Sequence, residues 1–525
     1  MKKKIEKKKK QPIKRYVSGL ALERLKKCLI SAPPTFYYRV ENFYFFLDIF
    51  YRLKTDNQDL WIKEESEYYA ISCEYFKKVI TNGTYRKHLQ YLKDIGVVLI
   101  DEHYKEGIAK GYFYNPIYES KLVEVLITPE MPIWKKIIGN RNNKRSHKAM
   151  PEHLLLMKKA FKKIEFDYNG AQEYLDTLLK KEFITQNEYN VRYMSLERIR
   201  TGNFYFDQNK TNYRVDSNLT NMKKELRNFL VGDYIQIDLK NSQPYLLNYV
   251  LSRYSLHQLN SYNIDLKLYS YSFCGEETTL KPLNSFIDKL FRAMKKRPLL
   301  KPKEVEKYHK WTTDGKVYNL FMTELNIQRD KAKELFLATM YSKNHSKTYR
   351  VEHGLFRKQF PTIYKLIAAL KLNKKEYSKL AIAMQNLEVE IFIDVIAKRL
   401  VEKGIVPITV HDAVIVKKQQ YESTMEVING VFMDYFGEIP SFDPKELSPD
   451  SDEINKSLLN KPGKKEKKKK NVFSEQEYQE SIANERKEDE EMQMEYEELM
   501  REIRCIEMES LHQYLSYPVK TLTPS

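Results

Sequence analysis

Two short segments place an acid where chemistry is available. Tyr234-Ile235-Gln236-Ile237-Asp238 is a run with β-strand character that ends in a carboxylate. Val406-Pro407-Ile408-Thr409-Val410-His411-Asp412 is a second such run, followed by Ala413 and then Val414-Ile415-Val416. The second pattern predicts a hairpin with Asp412 near its turn. One strand-ending Asp means no more than a turn. Two carboxylates on neighbouring strands supply the hard oxygen ligands that a pair of Mg²⁺ ions requires. Ions held that way can stabilise both the attacking and the leaving oxygen of a phosphoryl transfer. Between the acids, Arg329, Lys333, Leu337 and Tyr341 fall at four-residue intervals, a stripe on one face of a predicted helix. Arg and Lys one turn apart can grip a triphosphate, the first as a fork and the second as a point charge. Leu337 and Tyr341 would then lie under sugar and base. A further helix is predicted over 376–403, with Met384, Leu387, Ile391 and Val395 as its core face. Gln385 sits near the opposite edge, where its amide could meet the minor-groove side of a base pair.

These side chains need a rigid frame, and the chain is long enough to supply one: 525 residues suffice for two to four domains. With 39 Tyr and 25 Phe it has the apolar mass for large cores. The net charge is +19. Residues 1–15 hold nine Lys/Arg against one Glu, and residues 461–470 seven Lys against one Glu. Residues 475–500 reverse the sign, with eleven Asp/Glu against two Lys/Arg. Outside these tails the body stays basic. A basic, aromatic-rich body suits a polyanion, since cations release counterions from phosphates and rings stack on bases. The four cysteines, Cys28, Cys73, Cys274 and Cys505, form no CxxC or His/Cys cluster. That pattern argues against structural zinc or a disulfide framework and fits a reducing cytoplasm. The Lys-rich N-terminus lacks the apolar stretch of a secretory signal, and no apolar run is long enough to span a membrane.

Along the chain, residues 1–18 read as a flexible basic arm. Residues 19–135 form a unit with helices expected over 66–80 and 84–95, then a two-stranded hairpin. That order predicts a winged-helix-like DNA-binding domain in which Thr84, Arg86 and Lys87 open the recognition helix. Residues 136–205 read as a helical, thumb-like region, with Met150-Pro151-Glu152 as a helix start. Residues 206–445 alternate strands and helices and hold both acids, with 255–310 as an inserted subdomain. Residues 446–525 read as a lysine-rich linker and a charged helix. Nothing in the sequence fixes an oligomeric state.

In order and local spacing, residues 206–437 resemble the palm and fingers of family A DNA polymerases, and the related single-subunit phage-type RNA polymerases. Arg214–Asn218 with Asn221 is similar to the primer–template contact segment. Asp238 with Ser242-Gln243 is similar to motif A. Arg329, Lys333 and Tyr341 are similar to motif B, and Phe360-Pro361 to the segment after the fingers. Gln385 is like the helix before motif C, and Val410-His411-Asp412 is similar to motif C itself. The resemblance implies an α+β right hand, with an antiparallel palm sheet and helical fingers and thumb. It implies that Asp238 and Asp412 hold two Mg²⁺ ions, or Mn²⁺ in their place. Arg329 and Lys333 would bind the triphosphate, with Lys333 as proton donor to pyrophosphate. Leu337 and Tyr341 would line the nucleotide pocket, and Arg214, Gln385 and His411 would contact the primer terminus or minor groove.

The chain also departs from that family. Three residues separate Asp238 from Ser242 where the DNA polymerases have one, and no glutamate follows Ser242-Gln243 in the place that excludes ribonucleotides. Gln243 is the candidate blocking residue. Leu337 stands for an aromatic, Ser342 for Gly, and Ala413 for the Glu common after the motif C acid. Asp238 and Arg329 lie 91 residues apart, closer to the RNA-polymerase branch. No upstream carboxylate set resembles a 3′–5′ exonuclease, so no proofreading is expected.

The expected activity is template-directed extension of a primer 3′-hydroxyl with deoxynucleoside triphosphates on a DNA primer–template, in the replication of a phage or plasmid-like element. One alternative is an RNA polymerase or primase on the same palm. Another is a replication initiator whose palm is catalytically inactive.

Overall fold

In the computed structural model the described residues are 11–56, 69–71, 73–80, 84–101, 111–143, 150–262, 281–294, 297–344, 346, 348–371 and 377–459. Residues 1–10, 102–110 and those beyond 459 lie outside them, and with them most of the expected basic arm, the turn of the expected hairpin and the expected charged C-terminal helix. Eleven strands are present among the described residues: β1 Ile13–Ser18, β2 Tyr69–Ala70, β3 Val98–Ile100, β4 Gly111–Tyr114, β5 Leu122–Ile127, β6 Phe206–Gln208, β7 Val215–Ser217, β8 Tyr234–Leu239, β9 Ile408–Val410, β10 Ala413–Lys417 and β11 Phe442–Leu447. All their pairings are antiparallel. Helices make up most of the rest, so the fold is mixed α and β. None of the helices is long and apolar enough to cross a membrane, among the described residues.

The N-terminal part differs from the sequence reading in two places. Residues 13–18 are not arm but β1, because Ile13 and Val17 turn into the core and the strand pairs with β5. The helix expected over 66–80 begins only at Cys73, and Tyr69-Ala70 pairs instead with Tyr112 and Gly111 as β2. The local order is therefore β2, helix Cys73–Val79, helix Tyr85–Asp94, β3 and β4, with sheet order β2-β4-β3. Its core is aromatic: Phe46, Phe76, Tyr85, Tyr112 and Tyr114 are all buried.

Four helices follow, Pro132–Asn143, Glu152–Phe161, Tyr168–Lys180 and Gln186–Arg200. The last carries a capping box in which Thr185 and Glu188 satisfy each other's backbone donors. It also ties the body to the N-terminal unit. Asn190 Nδ2 donates to the Ser120 carbonyl at 3.0 Å, and the Tyr16 hydroxyl donates to Glu197 at 2.9 Å.

The sheet that positions the acids has strand order β11-β8-β10-β9. Strand residues alternate between faces. Ile235, Ile237 and Leu239 of β8 join Val414 and Val416 of β10 in one core. Ala413 and Ile415 enter a second core on the other face. Covering both faces explains why β10 reads Ala-Val-Ile-Val without polar alternation. Each such side chain, once buried, contributes about 1.5–3 kcal/mol relative to exposure. Helix Lys281–Ala293, inside the expected insertion 255–310, and helix Pro302–Thr313, which runs past its end, place Phe291 and Tyr308 in the same core as Ile237. The sheet also crosses the expected boundary at 445, since β11 runs to Leu447 and the next helix buries Ile454.

Candidate active site

Asp238 lies one residue before the end of β8, directly across from Ala413 of β10 and Asp443 of β11. Its side chain is half-buried and accepts a hydrogen bond from Gln236 Nε2 at 2.8 Å. Asp412 sits in the tight turn between β9 and β10, where Val410 pairs with Ala413 and only His411 and Asp412 remain to turn the chain. The two strand ends therefore bring the acids together, as the sequence predicts. Burial pushes the Asp412 carboxyl above its ordinary value, and the neighbouring charge of Asp238 pushes the same way, while Lys333 opposes both.

The backbone around these groups is strained. Non-glycine residues rarely hold a positive φ, and where they do the position is often functional. Five do so among the described residues: Glu182, Tyr213, Asn241, Asn326 and His411. His411 (φ 56°) precedes Asp412, Asn241 (φ 55°) follows β8, Tyr213 (φ 57°) precedes Arg214, and Asn326 (φ 48°) leads into the helix that starts at Arg329. Three of the five thus lie within two residues of a predicted site residue, while Asn326 closes the helix Asn319–Leu325 as its C-cap. Gly315 (φ +71°) closes on the same place, where a Cβ would meet Asn241 Nδ2 at 3.4 Å.

The helix Arg329–Tyr341 presents the expected stripe. Ala332, Leu335, Phe336, Thr339 and Met340 are buried, whereas Arg329 and Lys333 are exposed and Leu337 and Tyr341 half-buried. The guanidinium of Arg329 donates from Nη2 to Asn241 Oδ1 and to the Gly315 carbonyl, both at 3.2 Å. Its charge lies 5.4 Å from the ring centre of Tyr318. Lys333 is close enough for its charge to be felt by Asp412.

At the other end of the stripe the Tyr341 hydroxyl donates to Gln243 Oε1 at 2.5 Å. Gln243 in turn donates from Nε2 to Glu388, an acid the sequence reading did not single out. Arg214 Nη2 lies 2.8 Å from each of the two Glu388 carboxylate oxygens. Burial raises the Glu388 carboxyl to about 7; Arg214 lowers it and Asp412 raises it. Gln385, one turn earlier, accepts from Asn212 Nδ2 at 3.0 Å, beside Arg214. The rod that carries both runs as an α-helix over Ser378–Val389, a π-helical stretch over Glu390–Ala397 and an α-helical end at Lys398–Glu402. π-helical turns are uncommon and often mark functional sites. Its core face holds Met384, Leu387 and Ile391 buried and Val395 partly buried.

His411 is held neutral. Burial pushes its imidazole down to about 4, and the charges of Arg214 and Arg227 add to the effect. Its Nδ1 is buried without a hydrogen-bond partner in the structure, as is Asn241 Nδ2. The signal for Glu388 was an acid, one of two with Glu390, inside the largely apolar run Leu380–Ile393, three residues after Gln385. In the N-terminal unit, Thr84, Arg86 and Lys87 open the helix Tyr85–Asp94, with Arg86 and Lys87 exposed and Tyr85 turned into a core separate from that of Ile237. The structure does not bring these three to the acids.

Two carboxylates fit the donor chemistry of a hard divalent cation. Among the described residues no group of three or more His, Cys, Asp or Glu side chains forms a metal cage. Asp238 and Asp412 are the two carboxylates that could hold such a cation at this sheet end.

No protein-family model matches the chain, and no curated protein is significantly similar to it. Among solved structures, the POL domain of Pol1 from M. smegmatis, in complex with DNA primer-template and dNTP, is similar at 11% sequence identity and a TM-score of 0.23. The similarity covers 52% of this chain and 54% of that one, about half of each.

Proposed function

We propose that the protein is a template-directed DNA polymerase that adds deoxynucleotides to a primer 3′-hydroxyl. The observation that carries this reading is the convergence of Asp238 and Asp412 at one sheet end, with the cationic start of the Arg329–Tyr341 helix beside them. Two like charges held close, with the balancing Lys333 ammonium exposed, suit a site whose remaining charge comes from a ligand.

Asp238 and Asp412 would hold Mg²⁺ or Mn²⁺, which when bound supplies charge stabilisation for the attacking and leaving oxygens. Arg329 and Lys333 bind the triphosphate, Arg329 as a fork already aimed by Asn241 and the Gly315 carbonyl. Lys333 carries the proton suited to the pyrophosphate oxygen as the bond to the α-phosphorus breaks. Leu337 and Tyr341 form the floor of the nucleotide pocket, and Gln243 lies beside them as the side chain that meets the sugar. Arg214, Gln385 and the neutral His411 face the primer terminus, where the unpartnered His411 Nδ1 has a group to meet. The sheet serves as palm and the surrounding helices as fingers and thumb. The N-terminal unit binds duplex DNA in the manner of a winged helix, through Thr84, Arg86 and Lys87, and the setting is replication of a phage or plasmid-like element.

Single-nucleotide incorporation on a DNA primer–template with Mg²⁺ tests the reading. Wild-type protein should extend with dNTPs, and the Asp238→Ala/Asp412→Ala variant should not. Extension with NTPs alone would assign an RNA polymerase or primase. Folded wild-type protein that binds DNA and extends with neither would refute nucleotidyl transfer.

A further inference from the structure

Glu388 does not belong where it is by hydrophobicity. It lies between the buried Leu387 and Val389 and is itself 2% exposed. A buried carboxylate is costly unless its oxygens are matched. Three side chains meet it or its partners, each from a different segment. Arg214 comes from the turn before β7, Gln243 from the first turn of the helix Ser242–Tyr262, and Tyr341 from the end of the helix Arg329–Tyr341. An amide has a donor end and an acceptor end. Because Glu388 takes the donor end of Gln243, the acceptor end must face Tyr341, where it receives the phenol proton. Glu388 thereby fixes which way Gln243 points, and through it where Tyr341 sits. The same carboxylate holds Nη2 of Arg214 between its two oxygens.

The geometry points to Glu388 as a positioning residue that couples the two substrate-facing groups of the site, Arg214 on the primer side and Tyr341 on the nucleotide side. The inference rests on the nucleotidyl-transfer reading above. Glu388 is too buried to touch either substrate, so it acts only through Arg214 and Gln243. Removing its charge frees the guanidinium and lets the Gln243 amide flip, so both sides loosen together. The hydroxyl of Tyr341, by contrast, sits at one end of the relay, and its removal loosens only the nucleotide side.

Steady-state incorporation by the full chain separates these cases, using Glu388→Gln, Tyr341→Phe and the double variant. Glu388→Gln should raise the KM for both dNTP and primer–template, each by roughly tenfold, while Tyr341→Phe raises only that for dNTP. In the double variant the dNTP effect should be no larger than in Glu388→Gln alone, because the relay is already broken. A merely structural role would lower kcat in proportion to folded protein and leave both KM values in place. Should Glu388→Gln fail to fold, Arg214→Lys with Tyr341→Phe reads the same coupling, since those two are linked through Glu388 and Gln243. Unmoved KM values, or effects that simply add in either cycle, overturn the inference while wild-type incorporation still upholds the polymerase reading. Wild-type protein that incorporates nothing overturns both.

Discussion

The molecule holds acids in two regions and treats their charge in opposite ways. In the N-terminal unit Asp48, 1% exposed, lies 2.6 Å from Arg52 and 3.6 Å from Arg15, and accepts the Tyr16 backbone N–H at 3.1 Å. Two cations surround one anion, all supplied by the chain. At the sheet end Asp238 and Asp412 face each other, and the cation nearest in effect, Lys333, extends into solvent. Buried charge that serves the fold is neutralised from within. The half-buried pair at the sheet end is left short of counter-charge. The contrast is one of counter-charge as well as of burial, since Asp48 is enclosed and the two sheet-end acids are half-buried.

The same Asp→Asn change should therefore act differently in the two places. Asp412→Asn should abolish nucleotide incorporation, by about three orders of magnitude or more, and leave DNA affinity nearly unchanged. It should also raise the melting temperature in metal-free buffer. The folded Asp412 carboxyl titrates above its unfolded value, so its ionisation costs stability as pH rises through that interval, and Asn removes the cost. A lower melting temperature for Asp412→Asn would break the comparison. Asp48→Asn should do the reverse and destabilise by about 3 kcal/mol, since it removes the charge that the buried Arg15 and the half-buried Arg52 share. Incorporation per folded molecule should stay at the wild-type level. Denaturant titration and active-site counting measure the two halves of that claim.

A smaller effect is expected at the exposed face of the helix Tyr85–Asp94. Arg86→Ala with Lys87→Ala should weaken duplex binding by roughly tenfold and lower the slope of log K against log salt by about one for each phosphate no longer neutralised. An unchanged salt slope would remove this face from the DNA interface. The smallest expected effect concerns Lys371, 1% exposed, whose Nζ donates to the Thr339 carbonyl at 2.9 Å. Burial lowers its ammonium to about 7, so the unfolded chain holds more protons between about 7 and 10.5. Its contribution therefore gains stability as pH rises through that window. Lys371→Met should flatten that rise relative to wild type and lift the melting temperature at pH 7 by a few degrees. Parallel pH curves for the two proteins would contradict it.

Much of this site was legible in the sequence because its signals are local. Strand β8, the β9–β10 hairpin and the four-residue stripe from Arg329 to Tyr341 each follow from spacing within a dozen residues. Glu388 was not legible in the same way. Its partners Arg214 and Gln243 are 174 and 145 residues away, and an acid beside Leu387 reads as an ordinary helix residue until the fold brings them in. Strand β2 was missed because two residues gain strand geometry only from pairing with β4. Strand β11 was missed because Pro444 and its charges read as a loop, a composition that an edge strand tolerates. Short-range pattern placed the acids, while tertiary pairing decided which other groups surround them.

The most direct test of the account is Mn²⁺ binding by the full chain, followed through loss of the free-ion electron paramagnetic resonance signal. Wild-type protein with primer–template and dNTP should take up Mn²⁺, and Asp238→Asn/Asp412→Asn should not. Equal uptake by the two proteins would mean that these acids do not hold the catalytic cation, and the charge imbalance at the sheet end would need another cause.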